Sequence, residues 1–225
     1  FPTRRSSDLI NLEGADLSGA NLEGADLSYV YLLETNLHGA NLNRAKLERT
    51  RIVESDLSDA KLKKAKIKGS SSKIPLDIRK SDLSHADLSD ASMRHVRIAG
   101  SDLSHANISG ANADYIDIAQ SNASNLNARK MKAREFRSFK NDLTDADFSG
   151  SRIEGGFIRN KLKNTSFEGA FLGVPLSKRE FDVDEINRRI EFGEKNKFIK
   201  TSFRGATLNE PDFTYVKDLG SSDFS

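Results

Sequence analysis

Cysteine is absent from the 225 residues, which excludes a disulfide and a thiolate-held metal. Tryptophan is absent too, and all of the 13 phenylalanines but Phe1 gather in the second half. No apolar run approaches the length at which a helix crosses a membrane. Charge of one sign is lacking as well: 35 Lys and Arg face 33 Asp and Glu, a formal balance of +2. There is no Walker loop, no dinucleotide fingerprint and no cysteine nucleophile, so the common enzyme and cofactor signatures are missing. The Asp residues recur at one repeat place, which makes their pairing structural rather than catalytic.

What is present is a beat. A large aliphatic occupies every fifth place: Leu12, Leu17, Leu22 and Leu27, then onward through Ile67 without exception. Two residues before each stands a small or apolar residue, as at Ile10, Ala15, Ala20 and Ala25. A helix wants apolar spacings of three and four, and a long strand wants two. A period of five fits a short extended piece followed by a corner. In the extended piece Ala15 and Leu17 point one way and Asp16 the other. Glycine recurs at the corner, as at Gly14, Gly19 and Gly24, where positive φ is expected at some repeats. The hydrophobic fraction of 36% is low for a globule, but a thin coil needs only two residues in five inside. The regularity of the beat argues against disorder.

SDLSHA occurs at 81–86 and again at 101–106, so four repeats make one lap. Stacked laps would lie about 4.8 Å apart. The repeat A-(D/N)-L-x-x resembles that of the pentapeptide-repeat family. This resemblance covers nearly all of the chain. It implies an all-β solenoid, a right-handed quadrilateral β-helix, here of about nine coils with one short α-helical insertion.

Residues 1–9, FPTRRSSDL, break the pattern and resemble the translation of a sequencing adapter. They are expected to be non-native, with the natural N-terminus missing. Residues 10–67 form the first part of the solenoid. Residues 68–77, with Pro75, Gly69 and three serines, read as a bulge or small loop, counted as two repeats plus one residue between Ile67 and Ile78. The second part runs over 78–172. Within it the central residue shrinks to Ala or Ser at 123–138 while its partner grows at Leu126, Met131 and Phe136. That is volume compensation, with Ser121 and Ala123 as the exception where a distorted coil is expected. A one-residue slip falls at Gly155–Gly156. Residues 173–197 are an insertion: a capping box at Ser177–Glu180 and apolar residues Val183, Ile186 and Ile190 predict a helix over 178–192. Residues 198–225 return to the beat, and the C-terminal part is expected to be truncated.

Residues twenty apart should stack. Tyr31, Leu33 and Val53 then form an outward apolar patch, and Lys61, Lys63, Lys64, Lys66 and Lys68 form basic blocks on two other faces. His85 and His105 should stack at about 5 Å, with no third metal ligand evident. These features suit a non-enzymatic scaffold whose partner is another protein. Some members of the family are similar to duplex DNA in width and charge, bind type II topoisomerases and protect them from quinolones. The resemblance therefore admits a topoisomerase partner, although such mimicry wants a more acidic surface. The lysine blocks offer a third partner class, the phosphates of nucleic acid or of an anionic membrane, testable by salt-sensitive retention on heparin or liposomes.

Overall fold

The structure, a computed structural model, describes residues 10–173, 190–193, 197–208, 211–212 and 222–223. It is a parallel β-solenoid of about eight turns, against about nine from the repeat count. Every pairing between its named strands is parallel, and most join residues twenty apart. Leu32, Ile52, Ile78, Ile98 and Ile118 stack on the first side. The second side carries Asp16, Asn36 and Asp56 in register, the third Asn21, Asn41 and Lys61, and the fourth Lys46, Lys66 and Ser92.

The hydrogen bonds of one repeat explain its composition. In Ala15–Gly19, the Leu17 amide donates to Asn36 O at 2.7 Å and the Gly19 amide to His38 O at 2.8 Å, both in the next turn. The next turn returns a bond from Asn36 N to Ala15 O at 2.9 Å, and Ala20 N closes the corner on Leu17 O at 3.1 Å. The amide just after the central leucine has no backbone acceptor. Asp16 Oδ1 accepts from it, 3.0 Å from Ser18 N. The same bond recurs at Asn36, Asp56, Asp82, Asp102 and Asp142. Asp or Asn stands before the leucine because only a short acceptor there reaches this orphan donor.

Two kinds of corner follow from the small residue. Where it is alanine, its amide bonds back to the previous central residue, as in Ala40 to Leu37 and Ala60 to Leu57. At the corner after the first side, Ser, Thr or Asn replaces alanine. There the backbone amide donates instead to a buried side chain one turn on: Thr35 N to Ser55 Oγ, Ser55 to Ser81, Ser81 to Ser101, Ser101 to Ser121 and Ser121 to Asn141. A polar column runs inside an otherwise apolar wall, with every member donating or accepting. Positive φ extends well beyond glycine, to Glu54, Lys64, His85 and Lys130 among others. The ladder imposes the corner; glycine only eases it.

The interior is filled by the beat residues, with Leu37, Leu57, Leu83 and Leu103 each no more than 1% exposed. Leu126, Met131 and Phe136 are buried beside Ala123, Ala128 and Ala133. The distortion expected at Ser121 and Ala123 does not occur. Asn122 bridges Asp102 and Asp142 in register, because the polar column ties Ser121 on both sides. Further on, Phe148, Phe167 and Phe203 stack at 5.2 and 5.1 Å between ring centroids, and Phe157 meets the first two edge-on.

Three breaks in the beat among the described residues share one edge, between the fourth and first sides. Ile67 lies on the fourth and Ile78 on the first, so the segment between them supplies no side of its own. This differs from the count of two repeats plus one residue. Its loop is closed by an antiparallel bridge between Ser71 and Ile74. The register shift between Ala133 and Phe136, facing Gly155, sits on the same edge. So does the second insertion, which leaves after Leu172 on the fourth side and returns at Phe192 on the first. The helix expected over 178–192 lies outside the described residues as far as 189, and Ile190–Gly193 is a strand. Residues 1–9 also lie outside them.

Candidate interaction surfaces

With its lumen filled, the coil can offer chemistry only on its outside. Among the described residues no group of three or more His, Cys, Asp or Glu could hold a metal ion. His85 and His105 stack with ring centroids 4.8 Å apart and planes 1° from parallel, as a pair with no third ligand.

The residues of the predicted apolar patch lie on adjacent rungs, and their surroundings are mixed in character. Leu33 faces Val53 across one rung, and both are half-buried. Tyr31 faces Arg51, whose guanidinium lies 5.7 Å from the ring centroid. A cation therefore borders the patch and turns it amphipathic. The lysines do not make a row along the rod. Lys61, Lys63 and Lys64 are exposed on the third side, and Lys66 and the half-buried Lys68 lie on the fourth. They form a band round one corner.

The second side shows what sequence reasoning missed. Asp16, Asp56, Asp82, Asp102 and Asp142 share its outward row with Asn36 and Asn122. The flanking outward places add Asp59 and Asp145 but no Lys or Arg until Lys161, which pairs with Asp142 at 2.9 Å. A chain of balanced charge thus has one acidic side. Assigning each repeat modulo twenty and summing charge by side would have found it. Hydrogen bonds from the Ser18 hydroxyl and amide hold the Asp16 carboxyl below its ordinary pKa. Burial pushes Asp142 up, but bonds from Thr144 and Lys161 outweigh it and the net shift is downward.

The first side carries an alternating row instead: Arg51, Asp77, Arg97, Asp117 and Arg137. Burial raises the Asp117 pKa, opposed by Arg97 at 3.6 Å and by Arg137. Where this row meets the loop of residues 69–75, a cleft of about 250 Å³ opens, lined by Arg49, Thr50, Arg51, Lys73, Ile74 and Asp77 among others. None of these belongs to the predicted surface, and Arg51 only borders it.

The family described as Pentapeptide repeats matches the chain in eight copies over residues 10–44, 40–71 and 77–130, together just over half of it. No curated protein matches. Among solved structures the chain is similar to HetL, a pentapeptide repeat protein involved in heterocyst differentiation regulation from the cyanobacterium Nostoc sp. strain PCC 7120. Identity there is 18%, coverage 95% of this chain and 86% of that one, and the TM-score 0.48. It is also similar to trypsin-treated QnrB1, a plasmid-mediated fluoroquinolone resistance protein, at 19% identity, 96% and 89% coverage and a TM-score of 0.40. A third similar structure is a pentapeptide repeat protein from the Arabidopsis thaliana thylakoid lumen, at 23% identity, 51% and 68% coverage and a TM-score of 0.27.

Proposed function

The chain belongs to the pentapeptide repeat family, and from that premise we propose that it is a non-enzymatic scaffold that binds another protein along its first side. The observation that carries this reading is the filled interior: the lumen is packed with leucine, isoleucine and phenylalanine, so recognition is left to outward rows. On the first side Leu33 and Val53 adjoin Tyr31 and Arg51, a pairing of aliphatic, aromatic and guanidinium groups of the kind enriched at protein contacts. The test compares partners captured by the wild-type chain with those captured by a Leu33→Asp/Val53→Asp bait. Proteins bound through this side disappear with the double variant and persist with Lys63→Ala. An identical set on all three baits refutes the reading.

A second reading has its own support. The acidic second side offers carboxylates at the rung spacing, and none of Lys61, Lys63, Lys64, Lys66 and Lys68 stands on it. A groove built for DNA phosphates is a partner of matching charge, and a type II topoisomerase has one. Under this reading the protein preserves gyrase supercoiling in the presence of a quinolone, and Asp82→Lys/Asp102→Lys abolishes the effect. Absence of any rescue by the wild-type chain rejects it.

A further inference from the structure

We propose that the cleft between the loop of residues 69–75 and the corner at Arg49–Arg51 binds a phosphomonoester group through Arg49, Arg51 and Lys73. Thr50 is 2% exposed and its hydroxyl donates to Leu27 O at 2.7 Å. With Thr50 turned inward, Arg49 and Arg51 on either side of it are exposed at the cleft. Each guanidinium is placed by a ring one turn earlier, Arg49 at 5.4 Å from the Tyr29 centroid and Arg51 at 5.7 Å from that of Tyr31. Stacking on a ring face leaves the N–H edge of a guanidinium available to a ligand.

The loop brings the third cation. Ser70 N donates to Ile74 O at 2.9 Å and Ile74 N to Ser71 O at 3.1 Å, which closes the loop on itself with Lys73 in its turn. Gly69 anchors its base; a Cβ there would collide with Leu76 N and His95 O. The loop is therefore a fixed wall of the cleft.

The charges of this cleft are unbalanced, whereas several arginines elsewhere on the wall are paired. Arg44 pairs with Glu23 at 3.0 Å, Arg94 with Asp114 at 2.6 Å, Arg129 with Asp147 at 2.8 Å and Arg152 with Glu154 at 3.0 Å. Arg49, Arg51 and Lys73 enter no ion pair among the described residues. Asp77 is the one carboxylate lining the cleft, and Arg79 already faces it at 3.5 Å. Three cations at one small cleft, against a single carboxylate already faced by Arg79, fit an oxyanion of high charge. A phosphomonoester carries close to two negative charges at neutral pH and accepts the forked N–H pairs of arginine. At about 250 Å³ the cleft suits such a group and little more.

Two sources share this chemistry, a soluble phosphate and the headgroup of a phosphatidic acid lipid. Calorimetry with inorganic phosphate examines the first. Flotation with phosphatidylcholine vesicles, with and without phosphatidic acid, examines the second. Saturable binding in either arm is expected, weakened at least about tenfold by Arg51→Ala, as loss of one charge-assisted hydrogen bond implies. Lys73→Ala, in the loop and outside the coil wall, gives the same loss without touching the ladder. Lys63→Ala, on the third side, leaves binding unchanged. Absence of binding in both arms overturns the proposal. So does equal weakening by Lys63→Ala, which marks diffuse attraction rather than a site.

Discussion

Replacing Ser101 with alanine isolates one rung of the buried polar column. Ser101 Oγ accepts from Ser81 N at 3.2 Å and donates to Ala99 O at 3.2 Å. Ala99 O keeps a partner in the variant, because Lys80 N also donates to it at 3.0 Å. The Ser81 amide does not, since its residue is 3% exposed and has no turn bond to fall back on. A buried donor left without an acceptor costs about 1–3 kcal/mol. A repeat rod need not unfold in one step, so a local readout is preferable to a global melt. Amide hydrogen exchange at Ser81 should accelerate by roughly 5–150-fold, the equivalent of that range. Ser104→Ala is the control, because its amide is bonded by Asp102 Oδ1 and not by a hydroxyl. If Ser81 exchanges at the same rate in wild type, Ser101→Ala and Ser104→Ala, the column does not stabilise the corner and the reasoning fails.

Phe167→Ala removes the ring stacked between Phe148 and Phe203 and should lower stability by about 3–5 kcal/mol, seen as an earlier urea midpoint. Lys130→Gly at φ +56° should raise the melting temperature by relieving about 1 kcal/mol of left-handed strain, while Gly150→Ala at φ +65° one turn on lowers it by a similar amount. Acid should weaken the coil: Asp16, Asp26, Asp142 and Asp147 have folded pKa values below the ordinary one, so their stabilisation is present above about pH 4 and lost as pH falls through the folded values. Asp117, shifted upward by burial, works in the opposite direction, so Asp117→Asn should steepen the acid loss measured by circular dichroism.

The lumen was legible because one physical demand, apolar burial, repeats on a fixed beat, and Leu37 and Leu57 stand where that beat puts them. The hydroxyl column was not, although its signal is present: Ser, Thr or Asn replaces Ala at Thr35, Ser55, Ser81, Ser101 and Ser121. A small polar residue passes for a small apolar one until its hydrogen bond is known. The stacked pairs Leu33–Val53 and His85–His105 could be placed because lap length converts sequence distance into contact. The cleft could not, since Lys73 reaches the corner only through the path of an irregular loop. An interruption's length does not reveal whether its residues remain in the wall, so the eleven-residue step from Ile67 to Ile78 reads in sequence as two repeats plus one.

Breaks gathered on one edge give the rod a seam. A segment added there leaves the phase of the other three sides untouched, because each turn re-enters at the same rung, as Ile78 does over Ile52 despite a separation of 26 residues. Foreign peptides grafted between Ser71 and Lys73 would then be displayed at a set height on a stiff post.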